Sequence, residues 1–359
     1  MDKTGASLTR NSSDAEESHM ALKIYVTSDW DQMSQVAADL IEADIRRKQA
    51  VKDEYVLGLA TGNSPTGVYK HLAKAFNAGR IGSRGIRTFN LDEYVGLPGE
   101  NAQQRAMHCE SYSYFMIAEF FGLLQEKFSE TNVPWGTLVD QEKLVKALEE
   151  HPDCYELQGA DKGKAVVIRD RAQGYLKTIR EEILDAYWKK IDACGGIDLQ
   201  VIGVGGRGHV AFHESGIPFD GNKVMLVKLD ENTVSNAVED GHFDTREESP
   251  WYAVSMGAEQ VYKARTVVLV ANGARKTGPV TEAILGTATS DVPISYGQKY
   301  AAEGGNMVYV LDEIAAAQLL KAKPELQAKG YELVDMRGTP YETVQSLTFA
   351  RNPETGRLG

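Results

Sequence analysis

Short apolar runs alternate with helical segments along most of this chain, and that alternation narrows the folds it can adopt. Each run of about five residues is too short for a buried helix. It is followed by turn residues and then by apolar residues at helical spacing. The predicted strands are 22–26, 55–60, 87–91, 199–204, 266–270 and 307–311. Strands that alternate with helices are typical of parallel sheets, because each crossover places a helix on a face of the sheet. The sequence therefore predicts an α/β protein with a mostly parallel sheet.

Two segments depart from this rhythm. Residues 1–20 are polar and rich in serine, which predicts a flexible arm ahead of the folded part. Residues 135–170 carry many charged side chains, with loop signals at Pro152 and Gly163, and they predict an inserted surface segment of helix and loop. Since the sequence contains no internal repeat, we expect residues 21–359 to form a single α/β domain around that insertion.

Charge and cysteine usage exclude several classes of partner. The chain has 39 Lys and Arg against 51 Asp and Glu, a formal net charge of −12, so binding to nucleic acid or to an anionic membrane is not expected. It has no apolar run of about 18 residues, and residues 1–20 lack the apolar core of a signal peptide. The cysteines, Cys109, Cys154 and Cys194, are odd in number and widely spaced, which favours a reducing compartment. We therefore expect a cytoplasmic protein.

Ligands of parallel α/β sheets bind beyond the carboxyl ends of the strands, so the turns after the strands carry the functional information. The turn after the second strand consists of Thr61, Gly62, Asn63 and Ser64. Hydroxyls and backbone N–H groups just before a helix are the usual makeup of an anion cradle. The alternative is a simple capped turn, with Ser64 as N-cap and Pro65 as the first helical residue.

Two adjacent carboxylates, Asp92 and Glu93, leave the end of the third predicted strand. Neighbouring side chains of an extended chain point to opposite sides, so we expect one of the two to face a cleft. A carboxylate whose pKa is raised by burial is a suitable base for proton transfer. The alternative is a loop acid that caps the next element.

The turn at 203–214 is rich in glycine, which allows the backbone to approach a ligand closely. It contains His209, a residue type suited to acid–base chemistry, and Glu214, which can orient that histidine if the segment turns back on itself. His213 follows His209 by four residues, which is also a spacing of metal ligands, although the alternative is a structural histidine. Lys276 follows the strand at 266–270 and predicts a phosphate contact or, alternatively, a solvated loop lysine.

Taken in order, these turns resemble the glucosamine-6-phosphate deaminase (isomerase) family. The matching strings are 57–65 (LGLATGNSP), 89–98 (FNLDEYVGLP), 110–112 (ESY), 203–214 (GVGGRGHVAFHE) and Lys276. The resemblance implies a modified Rossmann-type sheet with helices on both faces. It also implies conversion of the sugar phosphate glucosamine 6-phosphate to fructose 6-phosphate and ammonia, without metal or other cofactor, and we expect a homo-oligomer.

The resemblance also implies roles for individual residues. Asp92 would be the base that moves a proton between C2 and C1, and His209, supported by Glu214, would assist opening of the pyranose ring. The turn from Thr61 to Ser64, with Lys276, would hold the 6-phosphate.

Arg207 departs from the family pattern, which has an aspartate at this position. A guanidinium beside His209 disfavours the protonated imidazole, so the substitution predicts either an altered catalytic relay or recruitment of Arg207 to a different substrate group. Three alternatives remain open at this point. They are a sugar-phosphate lactonase on the same fold, which needs His209 but not Asp92, a metal-dependent hydrolase that uses His209 and His213, and a non-catalytic sugar-phosphate-binding protein.

Overall fold

The computed structural model describes residues 22–160, 163–239 and 242–344. The arm predicted over residues 1–20 lies outside the described residues. Within the described ranges, none of the helices is long and apolar enough to span a lipid bilayer.

The main sheet is parallel throughout. Its strands are β1 (Leu22–Thr27), β2 (Tyr55–Leu59), β3 (Ile86–Asn90), β5 (Glu130–Asn132), β8 (Leu199–Ile202), β11 (Thr266–Ala271), β12 (Asn306–Asp312) and β13 (Glu332–Asp335). These eight strands lie in the order β13-β1-β12-β11-β8-β2-β3-β5. The six strands predicted from the apolar runs are confirmed, and the two strands that were not predicted, β5 and β13, are the short edge strands.

Helices cover both faces of this sheet. They are α1 (Trp30–Gln49), α2 (Thr66–Asn77), α3 (Ala102–Ala106), α4 (Tyr112–Glu119), α5 (Gln141–Glu150), α6 (Gly174–Thr178), α7 (Ala186–Ala193), α8 (Glu231–Glu239), α9 (Ala258–Val261), α10 (Ala274–Leu285), α11 (Gly297–Ala302) and α12 (Lys323–Ala328). Along β11, Val267 and Leu269 pack into one hydrophobic core, whereas Val268 and Val270 pack into the other. Alternate side chains of a strand point to opposite faces, so the central strands are covered on both sides, as the fold prediction required.

A second sheet packs beside the first and is antiparallel throughout. Its strands are β4 (Asp92–Val95), β6 (Tyr155–Gln158), β7 (Lys164–Ile168), β9 (Val224–Lys228) and β10 (Tyr252–Met256), in the order β4-β10-β9-β7-β6. The chain enters it directly from β3 through the single residue Leu91, whose N–H donates to the carbonyl of Leu59 at 3.1 Å and whose carbonyl accepts from the N–H of Met256 at 2.7 Å. Asp92 therefore lies at the junction of the two sheets.

The prediction for residues 135–170 was right about the helix and the loops, but it missed two strands. The segment contains α5, but it also contributes β6 and β7, and β7 pairs with β9 inside the second sheet. Ala165 and Val166 are buried rather than surface-lying. Gly163 directly precedes β7, and the mostly polar composition of β6 (YELQ), in which Glu156 and Leu157 are both exposed, concealed the strand.

Candidate active site

A cleft of about 640 Å³ opens beyond the carboxyl ends of four strands that are consecutive neighbours in the main sheet, β11, β8, β2 and β3. The turns after these strands supply most of the residues predicted from sequence. The cleft lining includes Thr61, Gly62, Asn63, Ser64, Asp92, His209 and Lys276. Parallel strands bring the residues after them to one edge of the sheet, which explains how turns more than a hundred residues apart meet here.

The two adjacent carboxylates point in opposite directions, as predicted. Asp92 lines the cleft, while Glu93 turns away and accepts hydrogen bonds from the Ser111 hydroxyl at 2.8 Å and from the backbone N–H groups of Tyr112 and Ser113, each at 3.0 Å. Glu93 thus caps the N-terminus of α4, so the loop-acid alternative applies to Glu93 and not to Asp92. Burial, together with the charge of Glu93, raises the pKa of Asp92 to about 8. Asp92 is therefore a stronger base than an ordinary carboxylate.

His209 and Glu214 form the predicted pair. The His209 Nδ1 atom lies 3.2 Å from Oε2 of the buried Glu214 carboxylate, so Nε2 is the ring nitrogen left for chemistry in the cleft. The stretch that leads into His209 closes on itself, with the Gly205 N–H donating to the His209 carbonyl at 3.1 Å, and Ala211, between His209 and Glu214, has a positive φ of 52°. Strained backbone of this kind is concentrated at functional sites.

Gly205 allows the imidazole to lie where it does. A Cβ atom at this position would be only 1.7 Å from Nε2 of His209, because the ring packs directly over the glycine. The adjacent Gly206 is different, since a Cβ atom there meets nothing within 4 Å. The glycine-rich turn therefore contains one glycine that is needed for the site and one that is not.

His213 is a structural histidine. It is fully buried, its Nδ1 accepts from the Ala258 N–H at 3.0 Å, and its Nε2 donates to the Ile217 carbonyl at 3.1 Å. Burial lowers its pKa to about 4, so the ring is neutral. Because both ring nitrogens are engaged, His209 and His213 do not form a metal-binding pair. In the part of the chain that the structure describes, no group of three or more His, Cys, Asp or Glu side chains is arranged to hold a metal ion.

The turn after β2 matches the anion-cradle interpretation better than the capped-turn alternative. Helix α2 begins at Thr66, and the residue before it, Pro65, provides no side-chain cap. Ser64 does not cap the helix either, because its hydroxyl donates to Oδ1 of Asn272, in the turn after β11, at 2.8 Å. Gly62 adopts a positive φ of 97°, which only glycine takes up readily.

Lys276 lies on the first turn of α10 and not in a solvated loop. Its side chain is half-buried, and the ammonium donates to the Val204 carbonyl of the glycine-rich turn. Burial, reinforced by the neighbouring charge of Arg275, lowers its pKa. A partly desolvated cation beside the turn of Thr61 to Ser64 is suited to a phosphate group.

Arg207 lies outside the cleft, and unlike Glu214 it has no ion pair with any described residue that lines it. It is exposed on the outer part of the glycine-rich turn and is not among the residues that line the cleft. Its position lends no support to either predicted role, in the relay or in substrate binding.

Sequence reasoning missed a second histidine–glutamate pair in the cleft. His242 Nδ1 lies 2.6 Å from Oε2 of the buried Glu110, and both residues line the cavity. Glu110 belongs to one of the strings that carried the family resemblance, which was a signal for this position. His242 offered none, because it follows a helix and not a strand of the main sheet.

Comparisons with known proteins agree with this geometry. No protein-family model matches the chain. It is 31% identical over 298 residues to the glucosamine-6-phosphate deaminase of Clostridium acetobutylicum, covering 83% of this chain and 100% of that protein. It is 32% identical over 314 residues to the enzyme of the same name from Clostridioides difficile, covering 87% of this chain and 100% of that protein.

Solved structures share the fold. A monomeric glucosamine-6-phosphate deaminase superimposes with a TM-score of 0.60 at 24% identity, covering 82% of this chain and 98% of that chain. The 6-phosphogluconolactonase from Trypanosoma cruzi superimposes with a TM-score of 0.53 at 21% identity, covering 83% of this chain and 96% of that chain. At these identities the two structures support the fold alone.

Proposed function

This chain belongs to the glucosamine-6-phosphate deaminase family, and from this membership we propose that it converts glucosamine 6-phosphate to fructose 6-phosphate and ammonia. The observation that carries the proposal is the meeting of three chemically distinct groups in one cleft. These are a buried carboxylate base, a histidine–glutamate pair and an anion cradle with a lysine. The conversion of an aldose to a ketose requires these three functions.

Ring opening is the task of the His209–Glu214 pair. With Nδ1–H held by the Glu214 carboxylate, Nε2 of His209 takes the proton of the hydroxyl on C1. The bond between C1 and the ring oxygen then breaks, and the imidazolium returns its proton to that oxygen. The buried carboxylate stabilises the imidazolium that forms between these two transfers.

Isomerisation is the task of Asp92. Its carboxylate removes the proton from C2 of the open-chain sugar and delivers it to C1, passing through an enol-type intermediate. A base with a pKa near the working pH combines a useful ionised fraction with enough strength to remove a proton from carbon. This role also separates the proposal from the lactonase alternative, which has no use for a base at this position.

Phosphate binding is the task of the turn after β2 and of Lys276. The backbone N–H groups of the turn precede α2, whose N-terminus carries a partial positive charge, and Lys276 adds a full charge from α10. Together they hold the 6-phosphate at one end of the cleft and place C1 and C2 toward Asp92 and His209.

The proposal is tested by incubating the purified protein with glucosamine 6-phosphate. We expect ammonia and fructose 6-phosphate in equal amounts, with no loss of activity after treatment with a chelator, because none of the proposed steps uses a metal ion. Hydrolysis of 6-phosphogluconolactone without ammonia release would favour the lactonase. Binding of the sugar phosphate without turnover would favour the non-catalytic alternative.

The raised pKa of Asp92 predicts the pH dependence. Because the base acts when ionised, kcat/KM should rise about tenfold per pH unit below a pKa of about 8 and then level off. In Glu93→Gln the negative charge next to Asp92 is absent, so the rise of kcat/KM should move to lower pH. Steady-state kinetics across the pH range provide the measurement. If kcat/KM of the wild-type protein levelled off near the ordinary aspartate pKa of 3.8, Asp92 with its raised pKa would not be the base.

Two finer predictions belong to this proposal. A cytoplasmic setting is supported by the three cysteines, none of which forms a disulfide in the described part of the chain. A homo-oligomer stays a prediction from the sequence.

A further inference from the structure

The cleft contains two histidine–glutamate pairs of the same kind. In each pair Nδ1 of the imidazole faces Oε2 of a buried glutamate, at 3.2 Å for His209 with Glu214 and at 2.6 Å for His242 with Glu110. A carboxylate accepts, so Nδ1 is the donor and Nε2 is the ring nitrogen that the glutamate does not hold. Ring opening and isomerisation use only the first pair and Asp92.

The second pair is tied to the side of the cleft that contains Asp92. Glu93, the next residue after Asp92, accepts from the Ser111 hydroxyl at 2.8 Å. Glu110 directly precedes Ser111. A single hydrogen bond therefore joins the residue next to Asp92 to the residue next to Glu110. The carboxylate that holds His242 is therefore anchored to the strand that carries the base.

The residue after His242 is anchored to the same strand. Phe243 is buried, its ring meets the ring of Tyr94 edge-on at 6.0 Å, and it stacks on His108 at 6.2 Å. Tyr94 lies two residues after Asp92 in β4. By contrast, the phosphate end of the cleft is built from the turns after β2 and β11, which belong to the other sheet.

Resting on the proposed function, we infer that His242, held by Glu110, is the acid–base group for the loss of ammonia, a second catalytic histidine beside His209. Delivery of the proton to C1 leaves an iminium at C2, which must add water and expel nitrogen. These steps take place at the carbon next to Asp92, on the side of the cleft where His242 lies.

One ring nitrogen, Nε2 of His242, accepts and then donates the proton that these steps require. As the water oxygen bonds to C2, Nε2 of His242 takes a proton from that water, and the π electrons of the C=N bond move to nitrogen. The imidazolium gives the proton to this nitrogen. The C–N bond then breaks with its electron pair leaving on ammonia, the C2 oxygen forms the carbonyl, and the hydroxyl proton passes to ammonia. The sum is iminium plus water giving ketone plus ammonium.

The test separates the two halves of the reaction in His242→Gln, with turnover followed in deuterium oxide. We expect ammonia release to fall about 10²-fold, the usual effect of losing a positioned acid–base group. Substrate recovered from the mixture should still carry deuterium at C2, because Asp92 continues to remove and return that proton. In Glu110→Gln, a positioning variant, the ratio of exchange to ammonia release should rise in the same direction.

His151→Gln is the control, since His151 is exposed and does not line the cleft. We expect this variant to release ammonia and exchange deuterium as the wild type does. Three results for His242→Gln would overturn the inference: unchanged ammonia release, an equal fall in exchange and ammonia release, or a raised KM with unchanged kcat. A wild-type protein that neither exchanges deuterium nor releases ammonia would instead refute the proposed function itself.

Discussion

Asp92→Asn is expected to lower kcat by about 10²- to 10⁴-fold, because an amide cannot accept the proton from C2. The side chain is buried at the junction of two sheets, and asparagine has nearly the same shape, so the cleft and the phosphate site should be retained. Isothermal calorimetry with fructose 6-phosphate should therefore show nearly unchanged affinity. Full activity of the purified variant would remove Asp92 from the mechanism.

The same substitution should stabilise the fold at alkaline pH. Burial raises the pKa of Asp92 from 3.8 to about 8, so the folded protein holds this proton more tightly than the unfolded chain. Stability from this group is complete below the unfolded pKa and is lost as pH rises through the folded pKa. Asparagine has no proton to lose, so thermal melts should show a higher Tm for the variant at about pH 9 and no difference near pH 4. Equal melting temperatures of the variant and the wild type at both pH values would show that the charge of Asp92 does not destabilise the fold.

Gly205→Ala is expected to lower kcat at least about 10²-fold, although the substitution adds a single methyl group. The added Cβ atom would stand 1.7 Å from Nε2 of His209, so the imidazole must leave the position in which Glu214 holds it. Gly206→Ala, one residue further on, adds the same methyl group to open space and should retain the wild-type kcat. Steady-state kinetics of the pair give the comparison.

Equal kcat values for the two alanine variants would contradict the placement of His209 over Gly205. Circular dichroism and melting curves serve as the control for folding. Both glycines lie in a turn beyond β8, so neither change removes a strand residue of the main sheet.

The parallel sheet and the residues at its carboxyl edge could be predicted from sequence for one physical reason. A strand buried on both faces reads as a continuous apolar run, and the turn after it must lie at the edge where ligands bind. Asp92, His209 and Lys276 do line the cleft, although for Asp92 and Lys276 this reasoning left a structural alternative open and the family resemblance pointed to the site. The same reasoning separated Asp92 from Glu93, since neighbouring residues of an extended strand point to opposite sides.

Two strands of the second sheet, β4 and β6, could not be predicted because they depend on tertiary packing, whereas β7, β9 and β10 are apolar runs (KAVVI, VMLVK and YAVSM) that did carry a signal. β6 is short and polar, and β4 follows β3 after one residue, so the two strands read as one run with a turn. His242 was hidden for a related reason: it is held in the cleft by Glu110 and, through Phe243, by Tyr94, and both partners are distant in sequence. The exposure of Arg207 was equally invisible, because spacing along a turn does not tell which side faces solvent.

The passage of the chain from one sheet to the other has a consequence for substrate choice. Ser255 in β10 lies opposite Asp92 in the strand register, and its hydroxyl accepts from the N–H of Phe212, in the turn that carries His209. One antiparallel strand thus links Asp92 to the turn that carries His209, whereas the proposed phosphate site rests on turns of the parallel sheet. Under the proposed function the two sheets hold opposite ends of the substrate, so we expect a sugar phosphate one carbon shorter to be turned over more slowly.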